Sequence, residues 1–467
     1  MIGSKVSRWT MTYFGCSIAA LVLAEILVVA GYVNPLAALR APSTLIGVHL
    51  ITIGWLSLLI LGALYQFVPV ITNTSLVSQR LPLYSLSAIV SGLAIMLAGF
   101  LALGGAPLLT TTLLPVGGGL VLIGFVLSMI NLALTLWRAR PLPLAADFIA
   151  FGLVFLLLTG LIGLGFALAF ALPQPPVLLL ALIDGGLGLH VAAGFGGWFM
   201  LTVMGVSYRL LSMFMLAPDE PRRSTYAALI LTVAGLGFLV FGGLAGLWSS
   251  VAVGPVEASG AASLGFGALF YAADILEFYR ARKRRRLELN SLTAAAALFL
   301  IALALVLGAL ALASGVLDRF AGAIGYLFVF GGLTGLGLGQ LYKIVPFLTW
   351  LEVFGKRLGK GPVPLVQDLV DEARATPGFI LYFVAAILAS AALAGRQPVL
   401  WRIAAVLQLT ATVMIVVELW RARHPDPTAK PSAIRPPRRP LARPKALSTA
   451  QTTPTLDSPS SHPLQGD

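Results

Sequence analysis

Four histidines are spread over the 467 residues of the chain, and two of them, His49 and His190, lie inside long apolar stretches. His49 opens "HLITIGWLSLLILGALYQFVPV", and His190 stands in "GLGLHVAAGFGGW". A neutral imidazole can give a lone pair to iron or copper, or exchange a proton near neutral pH. An ionisable side chain in hydrocarbon is costly, which makes each ring a functional candidate by default. The plainer role is a hydrogen bond to a carbonyl or hydroxyl of a neighbouring helix. Met200 and Met204 add soft sulfur near His190. Asp147, Asp184, Glu257 and Asp274 also lie in or near apolar stretches. Asp184, six residues before His190, reads either as a partner in a proton or cation path or as a helix-end charge facing water. Cys16 is the single cysteine, which excludes an internal disulfide and a thiolate metal cluster. No Walker loop, dinucleotide fingerprint or hydrolase elbow is present.

Membrane helices must position these groups. The chain is 58% hydrophobic and only 10% charged, whereas soluble domains carry about a quarter of their residues charged. Twelve apolar runs are long enough for a hydrocarbon core of about 30 Å. They fall near 9–32, 43–71, 83–104, 113–137, 146–172, 178–217, 225–248, 254–279, 291–314, 320–351, 377–395 and 399–420. The sixth and tenth exceed a span and are expected to tilt or to continue as helical extensions. Lys5 and Arg8 precede the first run as in a signal peptide, but its length marks a retained helix.

With the N-terminus cytoplasmic, the inner connections hold Arg80, Arg138, Arg140, Arg222, Arg223, "RARKRRR" at 280–286, Lys356, Arg357 and Lys360. The outer ones hold little beyond Arg40, Arg319 and Arg396. That asymmetry places both termini in the cytoplasm, with a bacterial plasma membrane as the default location. The net charge of +13 follows from topology and a basic tail. The expected partner is therefore the lipid bilayer, and no nucleic acid is expected. Residues 1–421 form the membrane domain. Residues 422–467, which include His424, His462 and ten of the 29 prolines, read as a disordered Pro/Arg-rich cytoplasmic tail.

One phrase is written three times: "GALYQFVPV" at 62–70, "GVSYRLLSM" at 205–213 and "GQLYKIVPF" at 339–347. The tyrosines at 65, 208 and 342 are separated by 208 − 65 = 143 and 342 − 208 = 134 residues. Glycines stand eleven residues before each (Gly54, Gly197, Gly331) and three before each (Gly62, Gly205, Gly339). On an ideal helix these positions share a stripe about 80° wide, which lets a helix or a flat ligand approach the backbone. Tyrosine and the polar residue after it (Gln66, Arg209, Lys343) are expected to anchor at the membrane interface, and Pro69 and Pro346 to end or kink their helices. The phrase falls in helices two, six and ten, so the unit is four helices repeated three times.

Twelve helices, both ends inside, and a threefold repeat keyed to those helices resemble the catalytic subunit of heme–copper oxidases and the related nitric oxide reductases. The resemblance covers about residues 9–420 and implies an all-α polytopic membrane protein. Its twelve transmembrane helices would form three pseudo-equivalent four-helix blocks, as in oxidase subunit I.

The resemblance also implies that helix two gives a histidine to a low-spin heme, here His49. Helix six would give one to copper, here His190. The family's histidine pair on helix seven and its two histidines on helix ten have no counterparts in this chain. A standard binuclear oxygen-reducing centre, and copper with it, is therefore not expected. Sixteen residues before each repeat tyrosine stand His49, Ala192 and Tyr326. Tyrosine serves as an axial iron ligand in some heme proteins, so Tyr326 joins His49 and His190 as a candidate cofactor ligand. On an ideal helix His49 lies about 160° from Tyr65, whereas His190 shares the stripe of Tyr208.

Two functions stay open. One is a heme-binding redox or gas-related protein acting on nitric oxide or oxygen, with respiratory-chain subunits or a small electron donor as partners. The other is a cofactor-free protein derived from the same scaffold: a sensor, an assembly partner or a transporter. A dedicated solute transporter fits the threefold repeat poorly, because such proteins usually carry twofold repeats.

Overall fold

The computed structural model describes residues 4–34, 40–249, 253–358 and 363–425. The tail expected from residue 422 lies outside the described residues from 426 onward, and its first two residues belong to the last helix. Twelve helices are long and apolar enough to cross a membrane: α1 (Trp9–Val29), α2 (Pro42–Thr72), α3 (Leu81–Leu103), α4 (Leu113–Arg138), α5 (Leu144–Ala171), α6 (Leu187–Met215), α7 (Arg223–Trp248), α8 (Gly254–Arg280), α9 (Leu289–Ala313), α10 (Leu317–Val353), α11 (Glu372–Ala394) and α12 (Pro398–Arg423). No strand occurs among the described residues. The sixth apolar run is not one helix. A short helix, Val177–Gly185, precedes α6, and the break falls at Gly185 and Gly186, the best helix-ending residues in the run. α10 is a single stretch of 37 residues, about 55 Å at 1.5 Å per residue, so it outruns the hydrocarbon core as expected.

The repeat helices are the central ones. In α2, α6 and α10 the most apolar window is 67, 56 and 56% buried, against 28 to 44% in the other nine. α1 packs against both α2 and α12, which closes the ring. The glycine stripe is a packing device with the same partner in every block. A Cβ at Gly62 would stand 2.6 Å from Cβ of Tyr13 on α1, and one at Gly205 would stand 2.6 Å from the carbonyl of Ala145 on α5. One at Gly339 would collide with Thr293 Oγ1 on α9. The upper glycines repeat this: Gly54 faces Ala20 on α1, Gly197 faces Phe155 on α5, and Gly331 faces Leu300 on α9. In each block the second helix is pressed onto the first along a side-chain-free line, which gives close van der Waals contact where lipid offers no hydrophobic drive.

Polar bonds tie the blocks together with the same logic. Trp55 Nε1 donates to Thr334 Oγ1 at 3.0 Å, from block one to block three. Trp198 Nε1 donates to Ser57 Oγ at 3.0 Å, from block two to block one. Each tryptophan follows its upper glycine by one residue, and each hydroxyl follows its own upper glycine by three. The same positions thus meet under a threefold rotation. The third pair would be Gly332 and Met200, which carry neither group.

Three expectations are corrected here. Tyr65 and Tyr208 are not interface anchors. Tyr65 is fully buried and donates to Ser128 Oγ at 2.8 Å, and Tyr208 is buried and donates to Asp274 Oδ2 at 2.9 Å. Both reach the fourth helix of their own block. The basic residues beside the tyrosines are likewise paired, Arg209 with Asp219 and Lys343 with Glu288 at 2.5 Å. Pro69 and Pro346 lie inside helices that continue to Thr72 and Val353. Each only forgoes one backbone bond, to the carbonyl four residues earlier.

Candidate functional site

α2 begins with Pro42 at its first position, where the missing N–H costs nothing, and runs regularly to His49. There the helix widens into a π-helical segment, Leu50–Ser57. The same change follows each of the other candidates: Ala192–Met200 just after His190, and Leu327–Thr334 directly after Tyr326. A fourth π segment, Phe238–Gly242, lies in α7. Single π turns inside helices concentrate at functional sites. Here they occur at matching places in all three repeat helices. A π segment also advances fewer degrees per residue, so the 160° offset of His49 from Tyr65 on an ideal helix does not carry over.

His49 is half-buried, and its ring lies 4.9 Å from that of Phe100 on α3. Its Nδ1 is 2.8 Å from the Leu45 carbonyl. A carbonyl only accepts, so Nδ1–H donates and the neutral ring keeps its lone pair on Nε2. This is the arrangement that prepares a histidine for a metal: one nitrogen pinned, the other free. His190 is also half-buried and edge-on to Phe166 of α5, with ring centroids 5.8 Å apart. Gly163 on α5 makes room for it, since a Cβ there would stand 3.1 Å from Cε1 of His190. His190 Nδ1 is buried without a well-formed hydrogen bond among the described residues, although the backbone of Thr159 on α5 lies beside the ring. The fold thus sets the α2 histidine against Phe100 of α3 and the α6 histidine against Phe166 and Gly163 of α5.

Tyr326 has a different setting. Its hydroxyl donates to Gln408 Oε1 at 2.7 Å, and its ring stacks on Phe330 at 4.3 Å and meets Trp401 edge-on at 5.0 Å. Gln408 Nε2 then donates to Glu25 Oε1 at 3.2 Å, and Thr412 Oγ1 donates to the same oxygen at 3.0 Å. This buried chain joins α10, α12 and α1, and Glu25 Oε2 has no partner among the described residues. Glu25 was not singled out from the sequence. The signal was available, because a lone carboxylate in "LVLAEILVV" is a charge within a span.

The remaining candidates have structural settings. Asp274 is buried and accepts from Tyr208, from Ser224 Oγ at 2.6 Å and from Thr225 Oγ1 at 3.0 Å, a knot between α6, α7 and α8. Asp147 and Glu257 lie in first helical turns, where a negative charge suits the helix dipole. Asp184 is exposed at the end of the short helix before α6. Met204 is core, in a cluster with Phe148 and Tyr208. No group of three or more His, Cys, Asp and Glu able to hold a metal occurs among the described residues.

A heme, which the resemblance implies, sets requirements that these residues meet unequally. His49 and His190 suit it, as neutral imidazoles with unengaged nitrogens in an apolar, aromatic-walled setting. Tyr326 does not suit it in this arrangement. A tyrosine ligand is a phenolate, which would set negative charge against Gln408 Oε1, with the Glu25 carboxyl one bond beyond.

No family model matches the chain, and no curated protein matches it. The fold does match solved structures. A heme–copper terminal oxidase, determined as a dimer by electron cryo-microscopy, superposes with a TM-score of 0.62 at 14% identity. The match covers 92% of this chain and 86% of that one. The protein is a membrane protein with a fold similar to that of a heme–copper terminal oxidase.

Proposed function

We propose that this protein binds a single heme on an oxidase-like scaffold, and uses it to pass electrons or to bind nitric oxide or oxygen. The observation that carries this reading is that His49 and His190, on two different repeat helices, each lie against an aromatic ring just before a π-helical segment, with Nδ1 of His49 pinned to the Leu45 carbonyl and Nδ1 of His190 without a well-formed hydrogen bond among the described residues. His49 through Nε2 and His190 through Nδ1 are the groups that would hold the iron. Held by both histidines, a heme would supply one-electron exchange; held by one of them, it would leave a place for a diatomic gas. The chain supplies orientation: the Leu45 carbonyl fixes the tautomer of His49, and Phe100 and Phe166 pack against the two rings. An electron donor or other respiratory subunit is the partner this role requires. The membrane is taken as a bacterial plasma membrane, with both termini cytoplasmic.

The test is the absorption spectrum of the protein purified after expression with ample heme. A Soret band that is lost in His49→Ala and in His190→Ala supports the reading, and its absence from the native chain ends it. The second reading is the cofactor-free scaffold, favoured by the commitment of the Tyr326 hydroxyl to Gln408. That reading requires the double alanine variant to keep native stability and phenotype.

A further inference from the structure

The run "RARKRRR" at 280–286 is more basic than orientation in a membrane requires, and the structure shows where its charge goes. It forms the connection between α8 and α9, beside the start of α11, at the end of the bundle that carries the basic connections. Arg284 is neutralised by Glu288, which also pairs with Lys343. Arg282 donates to the carbonyl of Tyr279. Arg285 and Arg286 are exposed and have no hydrogen-bond or carboxylate partner among the described residues.

Arg282, Arg285 and Arg286 rim a surface hollow of about 470 Å³, whose floor includes Leu289 and the half-exposed Leu292 of α9. The one carboxylate at the hollow, Glu372, accepts from the backbone N–H of Leu289 at 3.0 Å. Three guanidinium groups thus face one carboxylate that already has a donor. α8 ends, α9 starts and α11 starts here, so a membrane crossed by these helices would put its headgroups at the hollow. An occupant must satisfy guanidinium groups above and apolar side chains below. A free anion leaves the leucines in water, and a neutral lipid leaves the arginines unpaired. Guanidinium forks fit phosphate oxygens two at a time.

We propose that this hollow binds the headgroup of an anionic phospholipid, with its phosphate on Arg285 and Arg286 and the start of its acyl chains along Leu289 and Leu292. Basic hollows between helix ends are recognised settings for such headgroups. The proposal is independent of any heme.

The experiment is native mass spectrometry of the full chain in detergent with equal amounts of phosphatidylglycerol and phosphatidylcholine, run also with excess inorganic phosphate. The native protein should retain phosphatidylglycerol over phosphatidylcholine, and phosphate should not displace it. In Arg285→Gln/Arg286→Gln the bound phosphatidylglycerol should fall about fivefold for each arginine removed, while Arg285→Lys/Arg286→Lys should keep more of it. Equal retention of the two lipids by the native chain, an unchanged glutamine variant, or displacement by phosphate alone would each overturn the proposal. If the glutamine variant fails to fold, the lipid preference of the native protein and its loss with added salt decide the matter.

Discussion

Gln408 shows how much one side chain carries in the interior of this bundle. It accepts from Tyr326 and donates to Glu25, so a single amide holds two buried polar groups on two other helices. Gln408→Leu strips both at once, and an unsatisfied buried partner costs about 1–3 kcal/mol. The variant should therefore lose several times more stability than Thr412→Val, which leaves Gln408 bonded to Glu25. Thermal unfolding in detergent compares them, and equal losses would show that the chain from Tyr326 to Glu25 is not one unit. Tyr326→Phe should leave any heme spectrum unchanged. The histidines were legible as candidates because imidazole in an apolar run is conspicuous. Their environment was not, since Leu45, Phe100, Gly163 and Phe166 give no sign in the sequence of facing them. Tyr326 was chosen by counting back from the repeat, a count that carries no information about Gln408, which is 82 residues away.

At the scale of helices, the repeat phrase was legible in outline and misread in detail. The glycine stripe and its four-helix interval are real. Its use became clear only when Gly62, Gly205 and Gly339 were seen against α1, α5 and α9. The π segments at 50–57, 192–200 and 327–334 leave no mark in the sequence, where an ideal α-helical period fits the same residues. The tyrosines were misplaced for a related reason: a helix end in sequence is not a helix end in space when Pro69 and Pro346 continue inside α2 and α10. Gly205→Val should destabilise by about 1–3 kcal/mol, because the Ala145 carbonyl on α5 cannot move without shifting that helix. Gly265→Ala, in α8 with open space around it, should be neutral or gain up to about 1 kcal/mol. Unfolding midpoints of the two variants check the contrast, and a tolerated Gly205→Val would remove the packing explanation.

The whole molecule is a ring of three blocks whose central helices touch through Trp55–Thr334 and Trp198–Ser57. At 14% identity to the terminal oxidase, the likeness is carried by backbone geometry, and the chemistry has to be judged from this chain's own residues. Basic residues at connections give the topology a direct test. In a Cys16→Ala background, Arg285→Cys and Arg396→Cys should react with a membrane-impermeant thiol reagent from opposite sides of the membrane. Labelling of both from one side would break the twelve-span arrangement.

The central claim, that His49 and His190 together hold a heme on this scaffold, is tested most directly by the ultraviolet–visible spectrum of the purified protein, native beside His49→Ala/His190→Ala. The account predicts a Soret band in the native protein and none in the double variant. A native protein without that band, or a double variant that keeps it at full height, would contradict the claim.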